Sequence, residues 1–315
     1  MSPSGDGGAE ENGAVVSVMD VGGTHVAAAN VDLRSGAIPA GQPVRLALDS
    51  HAGAEEFVAT LVACAAALPT RPGRRWSIAV PGPFDYAHGI AWYEGVGKFD
   101  ALRGFDLGEA LATKLPDAAA IAFHNDADAF GVGEWWRGAA QGRRRVAGIT
   151  LGTGIGSCFL QDGRPLREGP GIPPGGRINE LHYAGKPLEE TVSRQALRQA
   201  YAEAVGADPE AADVKEIAQR AREGEEAAVR VFERTYRILG TVLASILGGF
   251  APDILVVGGS IAASWDLIAG PLTAGLHEAE SGRAQGIAVV PAAHPAQAAL
   301  LGAAHLAAEG NTGSD

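Results

Sequence analysis

The dipeptide Asn125-Asp126 offers a carboxylate where chemistry is easiest to arrange. An apolar run from Ala118 to Phe123 leads into it, and a helical pattern to about Ala140 follows. A carboxylate at such a strand-to-helix junction stands at the open, carboxyl end of a sheet, where α/β proteins bind their ligands. Asp126 is therefore the candidate catalytic residue, with Asn125 beside it. The competing reading is a helix cap, a position that both residue types favour. Asp128, two residues on, is expected to face another side of the helix and to tolerate change.

Glycine-rich turns elsewhere shift the balance towards chemistry. Ala14 to Met19 is of strand length and ends in Asp20-Val21-Gly22-Gly23-Thr24, and a second strand-like run returns to Asp32. The tip of such a hairpin can bring backbone N–H groups against an anion. A plain hairpin, with glycine supplying the positive φ, is the alternative. Val146 to Asp162 repeats the design: strand Val146 to Leu151, turn Gly152-Thr153-Gly154-Ile155-Gly156, return strand Ser157 to Leu160. A third glycine pair, Gly258-Gly259 before Ser260, follows the buried strand Ile254 to Val257. The first two turns open into strands. A dinucleotide fingerprint opens into a helix, so a nicotinamide dehydrogenase is disfavoured. Two hairpins of one design predict an internally duplicated α/β fold.

The elements that must position these residues follow from apolar spacing. Helical patterns cover Gly53 to Leu68, with Cys64 as a small core residue, and Asp106 to Leu115. Trp76 to Val80 is a strand, stopped by Pro81-Gly82-Pro83, and an irregular stretch from Gly89 to Gly104 carries Tyr93, Lys98, Phe99 and Arg103. Residues 163–187 read as loop and contain Asn179-Glu180-Leu181-His182; helical patterns at 188–205, 209–222 and 224–249 follow, and a closing helix spans about 296–308. Residues 1–13 and 309–315 read as flexible tails.

Composition sets the outer bounds. With 315 residues, 46% hydrophobic and 20% charged, the chain has ample material for a core. A net charge of -12 argues against a nucleic-acid footprint, which needs a basic face. Two cysteines in unrelated contexts make neither a disulfide framework nor a cysteine-rich zinc site. The N-terminus has no secretory pattern, and the run Ile238 to Phe250 is too short to span a bilayer, so a cytoplasmic protein without membrane contact is expected.

Four pieces in one order, Asp20-x-Gly22-Gly23-Thr24, Asn125-Asp126-Ala127, Leu151-Gly152-Thr153-Gly154-Ile155-Gly156 and Val257-Gly258-Gly259-Ser260, resemble the ROK family of bacterial sugar kinases. The likeness covers roughly residues 14–308. It implies a two-lobed actin-like ATPase (ribonuclease H-like) fold with the active site in the interlobe cleft. Lobe one is expected at 14–125 plus 296–308, and lobe two at 126–295. The implied activity is transfer of a phosphoryl group from ATP, with Mg2+, to a hydroxyl of a hexose or a close relative. In that reading Gly22, Gly23, Thr24, Gly152, Thr153, Gly154 and Gly156 hold the ATP phosphates. Asp20 lies near the magnesium through water, Gly258 and Gly259 lie against the adenosine, and Asp126 is the base. Phosphoryl transfer asks for these types, since it depends on positioning and on neutralising charge.

The sugar-contacting half departs from the family pattern. Glu180-Leu181-His182 is one residue shorter than the usual Glu-x-Gly-His. The resemblance implies that Glu180 and His182 bind sugar hydroxyls, with Asn125 and Asp126. It also implies that Glu189 in the following segment is a further sugar contact, a solvated helix start being the alternative for Glu189. No Asn stands near Gly95 to Lys98, where the family has one, so glucose is expected to be a poor or second-best substrate. The cysteine-rich zinc loop of many members is absent between Tyr183 and Pro187, and only about a dozen residues precede the first strand, so the DNA-binding domain of the repressor members is not expected here. A kinase for a cyclitol or an amino sugar is the neighbouring possibility, and a sugar-sensing regulator without turnover is the alternative of another class. Family members are often dimers, which makes a homodimer an expectation of the resemblance.

Overall fold

The structure is a computed structural model that describes residues 15–71, 73–94, 98–278 and 286–309. The expected tails, apart from Glu309, lie outside the described residues, as do Gly95 to Gly97. The chain forms two compact units, the first ending at Arg137 and resumed from Ala296, the second running from Gly138 to Pro295.

In the first unit the hairpin β1 (Val15–Val21) and β2 (His25–Asp32) is antiparallel and is extended by β3 (Val44–Ala47). Parallel to β1 on the other side runs β4 (Arg74–Val80). After a small ribbon of β5 (Phe84–Asp85) and β6 (Ile90–Ala91) comes β7 (Ala118–Asn125), giving the sheet order β3-β2-β1-β4-β7. The central strands are apolar almost throughout because both faces are covered. One face packs on α1 (Ala54–Ala66) and α2 (Leu107–Ala112), with Phe57, Leu61, Trp76, Ile78 and Leu111 buried there. The other face carries α3 (Asp126–Arg137) and the last helix, α9 (Ala298–Glu309), with Val16, Val18, Ala29, Ala129 and Leu300 in its core. The Ser77 hydroxyl donates to Ala303 O at 2.6 Å and fastens α9 to the sheet.

The expected lobe border after Asn125 is displaced to Arg137 for a packing reason. Helix α3 lies along α9, which belongs to the first unit, so Asp126 belongs there too. The same packing corrects the expectation for Asp128. It is only 4% exposed, because α3 is covered on nearly every side from Ala127 to Glu134.

The second unit repeats the plan. Strands β8 (Arg145–Leu151) and β9 (Ile155–Gln161) form an antiparallel hairpin extended by β10 (Arg164–Pro165). A tight hairpin of β11 (His182–Tyr183) and β12 (Lys186–Pro187) leads into the helices. Then β13 (Ile254–Gly258) and β14 (Ala288–Pro291) run parallel to β8, giving the order β10-β9-β8-β13-β14. Strand order and directions match those of the first sheet, as the repeated hairpins predict. The helices are α4 (Glu189–Val192), α5 (Arg194–Val205), α6 (Val214–Arg222), α7 (Glu226–Phe250) and α8 (Trp265–Glu278). The single helix expected at 188–205 is split at Ser193, whose side chain accepts the Ala196 N–H at 3.2 Å and starts α5. Ile238 to Phe250 is the second half of α7, and no helix among the described residues is long and apolar enough to cross a membrane.

Candidate functional site

The site residues of the first unit gather at the carboxyl ends of β1 and β7. Asn125 closes β7, and its Oδ1 accepts the Asp128 N–H at 3.1 Å, the bond of an N-cap. Its amide group donates to the Tyr86 hydroxyl at 2.9 Å and to Asp126 Oδ1 at 3.3 Å. Capping is thus done by Asn125, and Asp126 is the first residue of the helix. Asp126 Oδ1 also accepts the Ala127 N–H at 2.9 Å, while Oδ2 takes no hydrogen bond from another described residue. The helix N-terminus favours a negative charge here.

Electrostatics link Asp126 with Asp20, the last polar residue of β1. Burial and the neighbouring Asp126 charge push the Asp20 carboxyl up to about 7, against the pull of Arg45. Burial raises Asp126 as well, while Lys98 and the Ala127 N–H oppose the rise. A carboxyl raised by burial and by a neighbouring carboxylate marks a place where a cation would be welcome. Asp20 therefore fits a metal ion, held directly or through water. Perturbed acids of this kind cluster at functional sites.

The turn between β1 and β2 is held tightly. Gly22 N–H donates to His25 O at 2.8 Å, Leu48 N–H donates to Thr24 O at 2.9 Å, and the Thr24 hydroxyl lies 2.7 Å from His25 Nδ1. Neither Gly22 nor Gly23 has a positive φ, so the plain-hairpin reason for glycine fails at this turn. At Gly22 the reason is space, since a Cβ would stand 3.3 Å from His25 O.

In the second unit the Gly152 to Gly156 turn meets two other elements. Ile155 N–H donates to Glu189 Oε1 at 3.3 Å, and a Cβ on Gly154 would overlap that same oxygen. Glu189, expected as a sugar contact, is therefore built into the glycine turn. Gly259, in the left-handed region at φ 86, presses on Leu151, where any side chain would collide with backbone. The Gly258-Gly259 turn is thus packed beside the start of the Gly152 turn. Arg194, which the sequence did not single out, joins them. Its N–H donates to Gly152 O at 3.0 Å and its guanidinium reaches Ser260 Oγ at 3.4 Å. Thr153 is exposed at the tip.

Glu180 and His182 are not brought together. Glu180 closes a short 3₁₀ turn, is exposed, and pairs with Arg177 at 2.8 Å; His182 is exposed on β11 opposite Pro187. Sequence reasoning also passed over Arg45, on the short edge strand that follows the Gly41 turn, and it took the loop with Lys98 either as a place for substrate contacts or as a solvated loop.

Comparison with known proteins follows the same line. The profile of the ROK family matches residues 16–310. A glucokinase of Thermotoga maritima is 29% identical over 62% of this chain and 66% of its own length. A glucokinase of Streptomyces coelicolor is 31% identical over 60% of this chain and 67% of its own. The aligned part thus spans about two-thirds of these curated relatives. A ROK family glucokinase from Streptomyces griseus, solved in complex with glucose and AMPPNP, superposes with a TM-score of 0.75 at 23% identity, over 94% of this chain and 99% of that one. That likeness gives the fold, the actin-like ATPase architecture with its duplicated α/β units. With the profile match running from β1 into α9, the chain belongs to the ROK family.

Proposed function

We propose that this chain is an ATP-dependent carbohydrate kinase that moves the γ-phosphoryl group to a hydroxyl of a hexose or hexose-like molecule. The observation that carries the reading is the division of labour at the start of α3. Asn125 caps the helix, and Asp126 keeps a half-buried carboxylate whose Oδ2 takes no hydrogen bond from another described residue. That oxygen takes the hydroxyl proton as the new bond to phosphorus forms. A base works best when its pKa lies near the working pH, and burial moves Asp126 in that direction. Asn125, fixed by Tyr86, holds the carboxylate through its amide group.

When bound, ATP supplies the phosphoryl group and Mg2+ supplies positive charge for the oxygens that develop negative charge. Asp20 would hold the metal ion, and the turns at Gly22, Gly23, Thr24 and at Gly152 to Gly156 would offer the phosphates backbone N–H groups other than those of Gly22, Gly152 and Ile155, which are already donated. Gly258 and Gly259 would leave room for the adenosine. Support for a sugar-like acceptor comes from the relatives named glucokinase. The exposed positions of Glu180 and His182 support the expectation that glucose is not the best acceptor.

The test is a coupled ADP-release assay over a panel of hexoses, amino sugars and cyclitols. The expected result is turnover with at least one of them, and glucose below the best. No ADP above background with any member would overturn the kinase reading, and full turnover at low micromolar glucose would overturn the substrate part.

A further inference from the structure

Arg194 is fixed by its backbone and only loosely engaged by its side chain. Ser193 caps α5, so Arg194 is the first helical residue, and its backbone N–H donates to Gly152 O at 3.0 Å. That bond seats it on the glycine turn between β8 and β9. The side chain crosses towards the end of β13, where an Nη2–H reaches Ser260 Oγ at 3.4 Å. Ser260 directly follows Gly258-Gly259, and its Oγ stands 3.7 Å from where a Cβ on Gly152 would lie. The guanidinium is therefore a cation set between the two glycine turns of the second unit.

A guanidinium carries five N–H donors and no acceptor. Here Nη1 faces both carboxylate oxygens of Asp213, at 3.3 Å each. Bonds between charged groups of this kind measure about 2.7–2.9 Å when strong, so the pair is loose. Asp213 has a second task as N-cap of α6, where its N–H donates to Glu216 Oε2 at 3.1 Å. The Arg194 Nε–H is buried and has no hydrogen-bond partner among the described residues, although buried donors normally find one. Yet 38% of the side chain is open to solvent, so a ligand can reach the guanidinium edge. Other arginines of these helices are tightly held. Arg222 takes Asp266 through two bonds of 2.8 Å, and Arg198 is bound by Glu210 and by Pro209 O. The Glu189 carboxylate already lies on the Gly152 to Gly156 turn, so an anion arriving there needs a cation beside it. A planar guanidinium fork suits phosphate oxygens in pairs.

We propose that Arg194 contacts the nucleotide: its guanidinium donates to the phosphate chain of a nucleoside di- or triphosphate and gives up its loose hold on Asp213 to do so. This rests on the reading of the two glycine turns as the nucleotide site. Asp213 is then a competitor of the nucleotide, keeping the guanidinium in place until phosphate oxygens replace it. Arg194 thereby favours nucleotides that carry phosphates over the bare nucleoside. A residue that only packed the two turns together would make no such distinction.

The experiment measures binding of AMPPNP, ADP and adenosine to the full chain by calorimetry with Mg2+ and without acceptor. The proteins are the wild type, Arg194→Met, Arg194→Lys and Asp213→Asn, with thermal midpoints to check folding. Loss of a charged hydrogen bond should weaken AMPPNP and ADP binding to Arg194→Met by about 10- to 100-fold and leave adenosine unchanged. Arg194→Lys should keep the charge but lose the fork, and so fall between the two. Asparagine caps a helix as well as aspartate does, so Asp213→Asn removes the competitor and keeps α6. It should bind AMPPNP more tightly, by about 2- to 5-fold, the worth of a partly exposed ion pair. Unchanged AMPPNP affinity in a folded Arg194→Met, or an equal loss for adenosine, would overturn the proposal. So would AMPPNP bound to Asp213→Asn no more tightly than to the wild type. That last result decides by itself where Arg194→Met does not fold or adenosine binds too weakly to measure. A wild type that binds no nucleotide overturns the nucleotide site together with the proposal, whereas binding indifferent to Arg194 and Asp213 overturns the proposal alone.

Discussion

Gly133 of α3 and Gly302 of α9 meet backbone to backbone. A Cβ on Gly133 would overlap Ala298 O, and one on Gly302 would overlap Ala129 O. The second unit repeats the device: a Cβ on Gly240 of α7 would overlap Leu272 O, and one on Gly275 of α8 would overlap Arg237 O. Each unit thus lays a helix pair on its sheet through a glycine crossing, and in the first unit that crossing sets the height of Asp126.

Gly133→Ala and Gly302→Ala should each destabilise the protein by about 1–3 kcal/mol or more, because overpacking here meets backbone that cannot step aside. Turnover of the folded fraction should fall as well, since α3 carries Asp126. Urea unfolding with ADP release on the same samples checks both. Alanine variants with wild-type midpoints would show that the helices separate at no cost.

The contact between Gly154 and Glu189 predicts non-additive behaviour. Gly154→Ala should distort the phosphate turn and weaken AMPPNP binding, because the new methyl group collides with the Glu189 carboxylate. Removing that carboxylate in Gly154→Ala/Glu189→Ala should restore part of the loss, with a coupling of about 0.5–3 kcal/mol. Calorimetry on the four proteins of the cycle measures it. Strict additivity would mean that the two residues do not touch.

His124 predicts a sensitivity to acid. It lies on β7 beside Ala79, and burial pushes its imidazole down to about 4 from an ordinary 6.5. Its Nε2 has no hydrogen-bond partner among the described residues. The unfolded chain takes up the proton below about pH 6.5 while the folded chain refuses it until about 4, so stability is full above 6.5 and falls as the pH drops through this window. The loss attributable to this group approaches about 3 kcal/mol at the acid end. Thermal midpoints of the wild type and His124→Leu between pH 7.5 and 4.5 test this. The variant should lose less on acidification, and parallel curves would count against it.

Much of this was legible from the chain alone. Hairpins announce themselves when an apolar run breaks at Gly22-Gly23-Thr24 and again at Gly152-Thr153-Gly154, and two such signals imply the duplicated fold. Edge strands β3 and β14 are four residues each, too short to show a period of their own. Helix α8 was legible only as the strand-to-helix turn at Gly258-Gly259-Ser260, without bounds, because Pro271 and two glycines interrupt its pattern. Asp128 was misjudged because the helical period gives the side of a helix but not what covers that side. The place of Glu189 against the Gly152 to Gly156 turn depends on a contact across more than 25 residues, which spacing cannot encode.

The central claim is that Asp126 is the base, and turnover of Asp126→Asn tests it most directly. Asparagine keeps the shape of the side chain and an oxygen for the Ala127 N–H, and Asn125 still caps α3. The fold should therefore stand, with a thermal midpoint at or above the wild-type value, since a half-buried charge has been removed. AMPPNP affinity should hold. ADP release with the best acceptor should fall by about 10²–10⁴-fold, the usual contribution of a general base. Turnover near the wild-type rate would contradict the account and leave Asp126 as a structural residue at the start of a helix.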